Sequence, residues 1–218
     1  MIRKVARILW ILLILLPAAL MAQTANQQDV PLKGAARDIN VTKDNAAIKQ
    51  LAKGGYAANT GLVDTIVNHP NDYNPMVFFI LSRVLFKAGH KDDAAFWFYV
   101  AQLRTRYDFA RCNDPSCAGV PAQLTSIFGP EINQYAIPRA DLLVKIVNSV
   151  IEFVKTNNEN YDQRWINLDG LNVLKTNDGG ADKEIVMSKP RKDWPEIKNQ
   201  TIKSYSEDFG RFIGSRKK

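Results

Sequence analysis

Between Asn74 and Tyr107 lie two runs, residues 76–86 and 94–103, that are apolar on nearly every side of a helical projection. A helix of that kind has to be covered on more than one side. The pair, broken at Gly89, therefore predicts a central antiparallel hairpin inside an all-α domain: an irregular helical bundle with few or no strands. The ends agree. Asn74 is a capping residue, and Pro75 at the first helical position lacks only a donor that would be orphaned anyway. Asp92 and Asp93 suit the start of the second helix, and Arg104 and Arg106 suit its C-terminal end. In Phe96-Trp97-Phe98-Tyr99 successive side chains point about 100° apart, so the run forms no flat platform and reads as core. Gln102, set in the same stretch, needs a hydrogen-bond partner if it is buried.

The flanks supply the cover. Ala47, Ile48 and Leu51 share one face of a helix over 44–53 that Gly54-Gly55 stops, and 61–68 forms a short second helix before a loop at 68–73. Short helices follow over 122–128 and 131–137, parted by Gly129-Pro130. Pro138 opens a long amphipathic helix in which Leu142, Leu143, Ile146, Val147, Val150, Ile151 and Val154 recur every three or four residues. Residues 164–190 show no clear period, with a turn at Asn177-Asp178-Gly179-Gly180. A last helix after Asp193 turns Ile197, Ile202, Tyr205, Phe209 and Phe212 to the core.

The first 22 residues have the layout of a secretory signal peptide: Arg3, Lys4 and Arg7, an apolar run from Ile8 to Leu16, then Pro17 and the small Ala18, Ala19 and Ala22. The run is too short for a spanning helix, which needs about 20 apolar residues. Cleavage after Ala22 is expected; Leu20, bulky for a position three before the cut, leaves an uncleaved anchor as the alternative. The protein is thus expected in the periplasm or secreted. Its organisation reads as signal 1–22, flexible lead-in 23–40, one helical domain 41–214 and a basic tail 215–218. Three of the seven net positive charges belong to the signal, so the remainder carries about +4. That is too small an excess for a nucleic-acid binder. Membrane contact is expected only through the signal, or weakly through the tail.

Cys112 and Cys117 flank Asn-Asp-Pro-Ser, four turn-favouring residues, and in an oxidising compartment such a pair most simply forms a disulfide. So small a loop stabilises by about 2 kcal/mol. Redox motifs keep two residues between the cysteines, whereas four stand here. Neither His69 nor His90 has a partner at ligand spacing, so no metal and no cofactor is expected.

Residues 74–107 resemble a single tetratricopeptide unit. Phe78, Leu81 and Leu85, the small Ser82, and Ala94, Phe98 and Ala101 fall at that family's signature spacings. The small residues stand where two helix backbones approach. Arg106 departs from the pattern, which often has proline there. One period earlier, Ile48, Thr60 and Val67 fit poorly where small residues belong, so one unit sits among irregular helices although such repeats need about three. The chain as a whole also resembles exported bacterial proteins of uncharacterised function.

The resemblance implies partner binding along the concave face of the first helix, carried by Phe79, Arg83 and Phe86 with Lys87 beside them. Against this, the stem of Arg83 can simply cover apolar surface while its charge neutralises Asp92, Asp93 or a helix end. No catalytic residue is assigned: there is no Gly-x-Ser-x-Gly elbow, no His-Glu-x-x-His pair and no phosphate loop. His69 with Asp72, and Asp64 a turn earlier, form the sole cluster mixing imidazole with carboxylates. The expected function is therefore binding of another protein in the cell envelope, with an immunity factor against an envelope-targeted toxin as one concrete form. The rivals are an envelope hydrolase or lyase using His69 and Asp72, and a purely structural envelope protein.

Overall fold

Among the residues described in the computed structural model, 38–169 and 186–216, the chain is an all-α irregular bundle. Its helices are α1 (Thr42–Gly54), α2 (Thr60–Asn68), α3 (Pro75–Lys87), α4 (Lys91–Arg111), α5 (Val120–Phe128), α6 (Pro130–Ala136), α7 (Ala140–Thr156) and α8 (Trp194–Ser215). Short 3-10 turns stand at Pro70–Asp72, Pro115–Gly119, Gln163–Asp169 and Arg191–Asp193. No strand occurs among the described residues, though Cys112 makes one antiparallel bridge with Ser188. The signal at 1–22, the lead-in as far as residue 37, the turn at 177–180, Lys217 and Lys218 lie outside the described residues.

The hairpin forms as its ends dictate. The Asn74 side chain accepts from Met76 N at 3.0 Å, capping α3. At the other end Gly89 takes φ +91°, a left-handed conformation that glycine alone adopts without strain. Ser82, Ala94 and Ala101 are fully buried where α3 meets α4. Helix α4 lies at the centre, touching α3, α5, α6, α7 and α8, while α1 covers α3. The aromatic run disperses as expected. Phe96 and Trp97 pack edge-on against Phe153 of α7, Phe98 meets Phe79, and the Tyr99 hydroxyl donates to Asn133 at 3.0 Å. Gln102 finds two partners, donating to Thr125 at 3.1 Å and accepting from Tyr205 at 2.9 Å. Gly129 joins α5 to α6 where an added Cβ would stand 2.5 Å from Thr125 O.

Three expectations need correction. Helix α4 runs on to Arg111, so Arg104 is a core residue with no exposed surface and not a helix end. The last residues of the lead-in are tied down: Ile39 is buried, Asn40 N donates to Asp162 at 3.1 Å, and Arg164 donates to Asp38 O at 2.8 Å. Phe212 faces outward, 37% exposed, and Tyr205 is the one buried residue of α8.

The second half of α4 buries charge. The guanidinium of Arg104 donates to Pro70 O at 2.8 Å and to Asn71 Oδ1 at 2.7 Å, lies between the rings of Phe78 and Phe153, and has Nε 3.9 Å from Glu159. One turn on, Asp108 is ion-paired with Arg111 and accepts from the Tyr161 hydroxyl at 2.9 Å and Trp165 Nε1 at 2.7 Å. Burial pushes the Asp108 carboxyl up, while Arg111 and Trp165 pull it down. The Arg111 guanidinium in turn sits 3.8 Å from the Tyr107 ring and 4.5 Å from the Trp194 ring. Arg104→Met keeps the shape roughly but strands Pro70 O and Asn71 Oδ1 and leaves Glu159 with Lys198 alone. It should cost about 3–5 kcal/mol in urea unfolding, as for a broken buried pair. A change within about 0.5 kcal/mol, as for a surface arginine, would contradict the placement.

Candidate functional site

An open cleft of about 740 Å³ lies at one end of the bundle. One wall is the start of α1, with Lys43 and Asp44. A second is the loop and 3-10 turn after α7, with Asn160, Asp162 and Arg164. The third is the segment from Val186 to Trp194. This third wall is docked on the end of α4: Asn113 N donates to Met187 O at 3.0 Å and Lys189 N to Arg111 O at 2.8 Å.

Every carboxylate in the lining holds structure. Asp44, buried, accepts from Asn74 N at 2.7 Å, so it ties α1 to the residue that caps α3. Asp162 is wrapped by Arg164, which reaches it through its backbone N, Nε and Nη2, and by Asn40 N. Burial raises the Asp162 carboxyl, but these donors hold it below the ordinary value. Asp72 pairs with Lys43 at 3.3 Å and accepts from Asn160 at 3.2 Å, and these contacts lower it. Asp44 is the exception in sign: desolvation outweighs its hydrogen bonds and pushes it up to about 6.

The expected partner-binding residues do not form an open face. Phe79 is fully buried, stacked on Phe128 of α5. Arg83 is half-buried with its guanidinium 5.6 Å from the same ring. Phe86 is half-buried edge-on to Tyr135 of α6, and Lys87 alone is exposed. Helices α5 and α6 thus occupy the face that neighbouring repeats would leave open. Asp72 lines the cleft, while His69 and Asp64 are exposed and outside its lining.

The disulfide expected between Cys112 and Cys117 is not formed: both are buried thiols with sulfurs 3.8 Å apart, against about 2.05 Å for the bond. Each is engaged elsewhere. Cys112 donates to Asn167 Oδ1 at 3.1 Å and receives Asp114 N at 3.2 Å, and Cys117 donates to Ile166 O at 3.4 Å. The Cys117 thiol lowers that of Cys112 against the cost of burial. No group of three or more metal-ligating side chains occurs among the described residues.

Sequence reasoning missed Lys189, Arg191 and Trp194 in the cleft wall. The signal was present as Lys189-Pro190-Arg191-Lys192, a basic run followed by Asp193 and Trp194. No family model matches the chain, and neither the curated proteins nor the solved structures yield a match.

Asp44 gives the cleft a pH signature. Between 3.8 and about 6 the folded chain keeps a proton that the unfolded chain has released. Its contribution to stability is therefore full below 3.8 and is lost as pH rises through 6, on the order of 1–3 kcal/mol. Asp44→Asn retains the acceptor for Asn74 N–H without the charge. In urea unfolding it should exceed the wild type at about pH 7.5 and converge with it towards pH 4. A variant no more stable than wild type at the higher pH would contradict the assignment.

Proposed function

We propose that this chain is an exported helical protein that binds another protein in the cell envelope, with the cleft between α1, the 157–169 segment and the 186–194 segment as the binding site. The observation that carries this reading is how the cleft's charges are used. Its carboxylates are committed to Asn74, Lys43, Asn160, Asn40 and Arg164. No carboxylate among the described residues pairs with Lys189 or Arg191. A site that keeps cations for an incoming group and spends its acids on scaffolding suits recognition better than general acid–base work. Export rests on the N-terminal layout of positive start, apolar run and small residues. An immunity factor that occludes a toxin's active cleft is one form such a binder takes.

A hydrolase or lyase reading draws on one observation, that Asp72 lines the cleft. His69, the other residue of that reading, is outside the lining, and Asp72 is held by Lys43 and Asn160. Capture from envelope extract decides between them. Asn160→Trp fills the cleft from an exposed rim position. Wild-type bait should retain a defined protein that Asn160→Trp bait, folded by circular dichroism, loses by about tenfold or more. Equal recovery by both baits, or an envelope activity abolished by His69→Ala, would contradict the binding reading.

A further inference from the structure

Resting on the cleft reading, we infer that the partner enters as an extended, carboxylate-rich segment that crosses the basic turn Lys189-Pro190-Arg191-Lys192. Three cations stand within four residues, and all four residues are exposed. No carboxylate among the described residues lies within ion-pair distance of any of them.

The turn is rigid. Lys189 N is held by Arg111 O at 2.8 Å, Asp193 N closes on Pro190 O at 3.0 Å, and Trp194 Nε1 donates to Lys189 O at 2.9 Å. Behind it runs a column of alternating cations and rings. Arg191 lies 5.1 Å from Trp194, Arg111 lies 4.5 Å from Trp194 and 3.8 Å from Tyr107, and Lys198 lies 5.7 Å from Tyr107. Such stacking fixes the direction of Arg191 before a ligand arrives, which lowers the ordering cost of binding.

The shape selects the occupant. Lys189 lines both the main cleft and a shallower groove of about 310 Å³ between α4 and α8, where Ala110 and Ile197 offer apolar surface beside Gln200 and Thr201. Two concavities joined at one lysine make a track, which an extended chain at about 3.3 Å per residue can follow across several side chains. A flat bilayer cannot enter either hollow. The track's free charges are positive, and carboxylates meet arginine through paired N–H donors.

Fluorescence anisotropy with the full chain tests this, using short fluorescein-labelled peptides of alternating glutamate and glycine or of lysine and glycine. The glutamate peptide should bind at least about tenfold more tightly than the lysine peptide, and more weakly as salt screens the exposed charges. The combined Lys189→Glu, Arg191→Glu, Lys192→Glu variant should reverse that preference. Equal binding of the two peptides, no glutamate-peptide binding at millimolar concentration, or binding only to phosphatidylglycerol vesicles would overturn the inference. Partner capture lost with Asn160→Trp but untouched by the charge reversal would leave the cleft and remove the acidic segment. Capture untouched by either would remove both.

Discussion

Asp108, 1% exposed, is the carboxylate on which the non-helical segments beside the cleft depend. Taking such a group out of water costs several kcal/mol, and only good partners offset it. Here the partners come from two places. Arg111 stands one turn on along α4, while Tyr161 and Trp165 come from the segment after α7. Through Arg111 the same centre reaches the rings of Tyr107 and Trp194, and so the turn that opens α8. Asp108 thus fastens the second wall of the cleft directly and bears on the third through Arg111, whose backbone O also accepts from Lys189 N. The helices of the core owe it much less, since Phe78, Phe79, Phe98 and Leu81 are buried among themselves.

The helical frame was legible in the sequence because apolar side chains at spacings of three and four leave few other folds. The amphipathic α7, the caps at Asn74 and Gly89, and the need of Gln102 for partners all follow from local pattern, and all are found. The cleft was not legible, for a physical reason. Arg104, Asp108 and Arg111 look like solvated charges near a helix end until their partners are known: Arg104 reaches back to Pro70 and Asn71, and Asp108 is met by Tyr161 and Trp165 from a segment with no periodicity. Residues 163–169 lack a helical period because they form a 3-10 turn anchored by single buried side chains, Trp165, Ile166 and Asn167, and have no continuous face. The tetratricopeptide spacing led to Phe79, Arg83 and Phe86 as a binding face; α5 and α6 cover that face in place of further repeats.

Function on this scaffold follows a familiar division. Rigid helices set positions, and irregular segments at one end of the bundle present the recognising groups. What distinguishes this end is the direction of its electrostatics. Asp44 and Asp162 face inward to backbone N–H groups and, for Asp162, to Arg164, and Asp72 is paired with Lys43 at the rim, while the basic turn faces out. The walls can therefore keep their shape while offering charge of one sign, a form of preorganisation that favours binding without rearrangement.

Hydrogen–deuterium exchange on Asp108→Asn tests the central claim most directly, since the change keeps the side chain's outline and leaves Arg111 without its counter-charge. The account predicts that amides in 157–169 and 186–194 lose protection while those in the α3–α4 core, 77–103, keep it. Unchanged protection in both cleft walls, or an equal loss through the core, would contradict the view that one buried carboxylate holds the site in place.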